Sequence, residues 1–151
     1  MGYIENKLVS AEKVIYRTKL HWGIFLWSAI FLVVAIIGFA GGSEPTGWLF
    51  ILLTVLTGIS SFINYSTSEF GVTNKRVLVK VGWIRRHSLE TLLAKVEGIG
   101  VDQGILGRIF GYGTIVITGP GGTKEPFHKI DEPLEFHRRV QEQIATVQES
   151  K

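Results

Sequence analysis

The chain of 151 residues has no cysteine, which excludes a disulfide framework and any thiolate metal site. Charge is missing over two long stretches. No Asp, Glu, Lys or Arg occurs from Trp22 to Ser43 or from Pro45 to Ser68, and Glu44 alone separates the two. A dense basic stripe is lacking as well. Residues 1–21 carry four basic and two acidic side chains, and residues 66–151 carry twelve and ten. Nucleic acid, which draws on concentrated positive charge, is therefore not expected as a partner. Phosphate-binding loops are absent despite abundant glycine. Seven glycines lie in "DQGILGRIFGYGTIVITGPGG" (102–122). Even so, Gly111-Tyr-Gly113 is followed by Val116 where a dinucleotide fingerprint needs its third glycine. Gly98-Ile-Gly100 meets Gln103 there, and Gly122-Thr123-Lys124 inverts the order a P-loop requires. No catalytic residue, cofactor, metal or small-molecule substrate is expected.

What is present begins with the uncharged stretches. "WGIFLWSAIFLVVAIIGFA" (22–40) and "GWLFILLTVLTGISSFINY" (47–65) each match the ~20 apolar residues needed to cross ~30 Å of hydrocarbon. A mean hydropathy of +0.26 agrees. The "GGSEPT" segment (41–46) is short enough only for a tight turn, so the pair is expected to form a transmembrane hairpin over 22–65. Lys7, Lys13, Arg17 and Lys19 precede it, Lys75, Arg76 and Lys80 follow it, and the turn has only Glu44. The positive-inside bias then places both tails in the cytoplasm. A cleaved signal peptide ending at "GFA" fits less well, because the apolar run is too long and a second one follows at once.

After Tyr65 the apolar period changes from helical to alternating. "EFGVT" and "RVLVKVGW" flank Asn74-Lys75, a hairpin turn. Val77, Val79, Val81 and Trp83 share one face of the second strand, with Arg76, Leu78 and Lys80 opposite. "RRHSLETL", "KVEGIGVDQ", "GTIVIT" and "TKEPFHKI" supply four more strands. The third of those four is strongly β-branched, and Pro126 marks the last as an edge strand. Val96 is out of phase with Ile99 and Val101, which predicts a bulge near Gly98. Leu106, Ile109 and Phe110 are spaced as one amphipathic helical turn. "DEPLEFHRRVQEQIATVQESK" reads as a helix with Pro133 at its start and Phe136, Val140, Ile144 and Val147 as its docking stripe. Before the membrane, Val14, Tyr16, Thr18 and Leu20 alternate with Ile15, Arg17 and Lys19, which adds a seventh strand.

Polar candidates are few. His21, His87, His128 and His137 have no metal-ligand spacing, and solvation explains the group around His128, Asp131, Glu135 and His137 better. Trp83 beside Arg85 and Arg86 reads first as a solvated turn with Trp83 packed in the core, and second as a hairpin tip suited to lipid headgroups or a protein partner, at about 1 kcal/mol per basic residue near an anionic surface.

Thr67 to Thr123 resembles the bacterial pleckstrin-homology-like domain of YdbS-type membrane proteins. "TNKRV" (73–77), "KVE" (95–97), "QGILGRIFGYGT" (103–114) and "PLEF" (133–136) carry the resemblance. It implies a seven-stranded barrel capped by a C-terminal helix and a non-enzymatic role in binding or assembly, with homo-oligomerisation. The fold class expected is α+β, a two-helix transmembrane hairpin plus a PH-like antiparallel β-barrel. Residues 1–21 form a cytoplasmic segment that lends a barrel strand, and 66–151 form the PH-like domain. The expected partners are the lipid bilayer of a bacterial inner membrane and a protein partner or second copy.

Overall fold

The computed structural model describes residues 2–82 and 86–151. They divide into two compact units, Met1–His21 with Thr67–Lys151, and Trp22–Ser66.

The first unit is built on two antiparallel sheets. β1 (Val14–Thr18), β2 (Glu69–Thr73), β3 (Arg76–Val81) and β4 (His87–Leu92) lie side by side in that order. β5 (Gly98–Asp102), β6 (Tyr112–Thr118) and β7 (Lys124–Asp131) form the second sheet. All seven strands expected from the alternating pattern are present, and β7 with its Pro126 is an edge strand. The closed barrel is not. At one corner the sheets are stitched together by a Leu20–Ile130 bridge and by the Lys19 carbonyl accepting from the Asp131 N–H. At the other corner, among the described residues, β4 pairs only with β3 and β5 only with β6. The chain leaves β4 through a tight 3-10 turn, Leu93–Lys95, and starts a new sheet.

That turn also explains the phase of Val96, which precedes β5. No bulge occurs at Gly98, since β5 runs in regular register from Gly98 opposite Thr118 to Asp102 opposite Thr114. The irregularity falls instead where β6 meets β7 between Gly113 and Ile115, beside Lys129 with its positive φ of 56°.

Phe70, Val72, Val77 and Val79 from the first sheet and Ile115, Ile117, Phe127 and Ile130 from the second are buried. Phe70 and Phe127 meet edge to face at 6.1 Å across the gap. α5 (Pro133–Glu149) closes the remaining side: Phe136 and Val140 are fully buried and Ile144 and Val147 half-buried. The docking stripe is thus used from its N-terminal end. β1 alternates as expected, with Tyr16 half-buried, Thr18 and Leu20 buried, and Ile15, Arg17 and Lys19 exposed.

One layer went unforeseen. Leu78, on the face read as polar, is fully buried. A short helix, α1 (Tyr3–Lys7), straps that face. Its Ile4 has no exposed surface and packs over Gly71, where a Cβ would lie only 2.6 Å from Ile4 Cδ1. Around this plug, the Ile4 N–H donates to Glu69, the Tyr3 hydroxyl to Glu90, and Arg17 to Glu5. The strap is locked behind α1 by Glu12, whose carboxylate accepts from Arg76 Nε at 2.9 Å, Thr73 Oγ1 at 2.7 Å and the Val9 N–H at 2.9 Å. Burial alone would raise the Glu12 carboxyl. The hydrogen bonds from Arg76, Val9 and Thr73 outweigh it and hold the group at about 2.

The second unit consists of α2 (Leu26–Ala40), entered through a 3-10 turn at Trp22–Phe25, and α3 (Glu44–Thr67). Trp22–Ala40 (the 3-10 turn with α2) and Glu44–Thr67 are each long and apolar enough to cross a membrane. The predicted six-residue turn shrinks to three. Pro45 sits in the first turn of α3, and the Ser43 carbonyl accepts from the Gly47 N–H. The helices touch through Phe31 and Phe50, and the Ser28 and Ser61 hydroxyls donate to the Thr54 and Ile24 carbonyls.

Candidate functional site

The glycine-rich run forms a strand–helix–strand unit. After β5, Gly104 precedes α4 (Ile105–Phe110), and Gly111, at φ 80°, ends that helix in the left-handed conformation that glycine adopts without strain. Gly107 is the residue of α4 that faces inward. A side chain there would run into the Tyr112 carbonyl. Gln103 fills the space beside it, its amide donating to the carbonyls of Gly107 and Tyr112. Because the small residue faces in, the large ones face out: Ile105, Leu106, Ile109 and Phe110 are all exposed. The predicted helical turn is present, but its apolar side does not enter the core.

Between α4 and the start of α5 runs an open cleft of about 910 Å³, lined in part by Tyr16, Gln103, Arg108, Glu132, Leu134 and Glu135. Two of its acidic groups are engaged by neighbouring side chains. The Tyr16 hydroxyl donates to Glu132 at 3.2 Å, and burial, reinforced by the Glu132 charge, pushes the phenol up to about 12. Glu135 accepts from Arg138 at 2.7 Å and Arg139 at 2.9 Å, and the hydrogen bond from Arg138 leads in holding its carboxyl below the usual range. Tyr16 is thus a neutral donor to the Glu132 carboxylate at physiological pH.

Residues 24–144 match the model of the Bacterial PH domain family. The chain belongs to that family. No curated protein and no solved structure matches it. The pattern that carried the resemblance in this bacterial PH domain protein is spread over the sheet unit: Thr73 and Arg76 anchor the Glu12 lock, the Gln103–Thr114 run builds α4, and Phe136 seats α5.

Of the predicted site residues, Trp83 and Arg85 lie outside the described residues. Arg86 is exposed just before β4. The tip's near end is placed by Gly82, whose N–H donates to Ser68 Oγ at 3.3 Å. The histidines are dispersed. His21 is buried against Tyr112 at 5.1 Å. His87 meets Glu125 at 3.0 Å, and His128 meets Thr114 at 3.1 Å. Among the described residues no group of three or more His, Asp or Glu gathers as metal ligands would. Missing from the sequence reading were the α1 strap and the exposed apolar face of α4. Arg108, the single charge in the latter's sequence, was the available clue.

Proposed function

We propose that the chain is a membrane-anchored PH-like interaction module, non-enzymatic and YdbS-like, at the cytoplasmic face of a bacterial inner membrane. It serves as a scaffold or a subunit of an envelope complex, alone or as a homo-oligomer. One observation carries this reading. β1 precedes the two apolar helices and β2 follows them, yet the two strands are hydrogen-bonded, with Thr18 opposite Phe70. A ladder across that insertion requires both junctions to lie on one side of any bilayer the helices cross. The basic residues on either side of the helices favour the cytoplasmic side.

The test has two arms. A reporter fused at Ser43 should score as extracytoplasmic and one after Lys151 as cytoplasmic; scoring on the same side would refute the hairpin. Crosslinking in native membranes followed by purification should then recover a stoichiometric protein partner or a homo-oligomer. A lone monomer would remove the scaffold role.

A second reading, contact with anionic headgroups through Trp83, Arg85 and Arg86, draws support from the Gly82–Ser68 hydrogen bond. Ser68 directly follows α3, so this bond keeps Gly82, the residue before the tip in sequence, near the point where the chain leaves that helix. Replacing Arg85 and Arg86 with alanine should lower the affinity of the reconstituted protein's sheet unit for phosphatidylglycerol. Unchanged affinity would remove this reading.

A further inference from the structure

Among the described residues, eight large apolar side chains of the sheet unit are exposed, and three of them (Val9, Ile15 and Leu92) are scattered over its surface. The other five belong to α4 and the neighbouring start of α5: Ile105 at 81%, Leu106 at 60%, Ile109 at 70%, Phe110 at 51% and Leu134 at 61% exposed. Single exposed apolar side chains are ordinary, but a contiguous group marks a contact surface. The only charge on α4 is the cation Arg108.

The position of this surface on its unit indicates what covers it. Tyr112 follows Phe110 by two residues, so their Cα atoms are at most about 7 Å apart. The Tyr112 ring packs 5.1 Å from the ring of His21. The His21 N–H is fixed to the Lys129 carbonyl at 2.8 Å, and the next residue, Trp22, begins the first apolar segment. The end of α4 therefore lies at the rim where the chain leaves the sheet unit. Once the apolar segment enters a bilayer, that rim is at the lipid–water boundary.

We propose that α4 is an interfacial membrane contact. Ile105, Leu106 and Ile109, with Phe110, enter the headgroup–acyl boundary, and Arg108 reaches to lipid phosphates. The inference rests on reading Trp22–Ala40 and Glu44–Thr67 as spans. Size favours lipid over protein. Six residues of helix extend only about 9 Å, whereas a stable protein interface takes about 800 Å² from each partner. A tethered surface needs no such minimum, because attachment keeps it at high effective concentration beside the bilayer. Amphipathic helices that lie in this boundary bury their apolar side about 5–10 Å deep.

The lack of cysteine makes the test direct. Three single-cysteine variants of the full chain, Ile109→Cys, Glu142→Cys and Val33→Cys, are labelled with an environment-sensitive fluorophore. They are then reconstituted into nanodiscs of phosphatidylcholine and phosphatidylglycerol with brominated acyl chains. The label at 109 should be quenched several-fold more than the label at 142, which is exposed on α5. Quenching at 33 on α2 reports the span itself. If 33 is quenched and 109 is not, the α4 contact is overturned and the spans stand. If neither is quenched, the spans fall and the inference with them. Efficient disulfide pairing between copies through position 109, without lipid quenching, would assign the surface to self-association instead.

Discussion

The α1 strap makes a claim that can be tested by its sign. Ile4 is fully buried over Gly71, and a Cβ at 71 would sit 2.6 Å from Ile4 Cδ1. Ile4→Ala removes three carbon atoms from a site with no solvent access, a change that costs roughly 2–5 kcal/mol in a core. The lower half of that range is expected here, because α1 has five residues and can detach. A helix that short has no stability of its own, so loss of its plug should release residues 2–10 before the sheets unfold. Gly71→Ala acts on the same contact from below. In an open strand it would gain roughly 0.5–1 kcal/mol, but here the new methyl displaces Ile4 and the net effect should be a loss. The decisive quantity is the coupling. In the double variant the methyl at 71 occupies space vacated by Ile4, so the two losses should fall short of additive by about 0.5–3 kcal/mol. Thermal melts of the four forms in one detergent give the cycle, and hydrogen exchange at residues 3–7 reports the strap directly. Additivity within about 0.3–0.5 kcal/mol would mean that Ile4 does not sit on Gly71.

Other consequences are as sharp. The Glu12 carboxyl is lowered from 4.5 to about 2, so its contribution is complete above about pH 4.5 and is lost as pH falls from there towards 2. Fully realised, the shift is worth about 3 kcal/mol, and solvent access to the Arg76 side of the pair trims that to about 1–2. The stability gap between wild type and Glu12→Gln should therefore be widest at neutral pH and shrink below about pH 4.5, and a gap constant with pH would exclude the assigned role. Gly107→Ala should destabilise by about 1–3 kcal/mol despite alanine's helix propensity, because the methyl meets the Tyr112 carbonyl. A stabilised variant would show that the approach is not close. Residues 66–151 fused to 8–21 through a flexible linker should melt a few degrees above 66–151 alone, about 4–8 °C per kcal/mol, whereas equal melting and solubility would detach β1 from the sheet.

Much of this fold was legible because its elements are locally consistent. β3, β6 and β1 alternate with period two, Asn74-Lys75 suits the turn between β2 and β3, and Phe136 and Val140 sit at helical spacing. What escaped depends on partners distant in sequence. Leu78 alternates as though on an exposed face, yet it is fully buried opposite Gly71, over which Ile4, more than seventy positions earlier, packs. α1 has a single apolar residue in "YIENK" and no local signal strong enough to announce a helix. The exposure of α4 is equally non-local, because its spacing predicts an apolar face and says nothing about which side faces the sheet. That choice is made by Gly107, the only position small enough to approach the Tyr112 carbonyl. For the candidate site, the helical turn of α4 was legible from residue spacing, while the exposure of its apolar face was not.

The route of the chain explains why these features share one region. β1 and β2 behave as the two arms of a hairpin whose connection has been replaced by the Trp22–Ser66 unit. Closing a flexible loop of that length would cost about 3.5 kcal/mol beyond a constant term. Two antiparallel helices returning to the same side remove most of that cost before the strands pair. Were the helices to cross a bilayer, the register Thr18–Phe70 would require both junctions to lie on one side of it. The two exits of the chain from the sheet unit are fixed by short contacts within it: His21 to Tyr112 and Lys129 at one, Ser68 to Gly82 at the other. Tyr112 adjoins the apolar helix α4, and Gly82 adjoins the basic tip. The ring contact that fixes the His21 exit thus sets that exit of the sheet unit two residues from the exposed apolar end of α4.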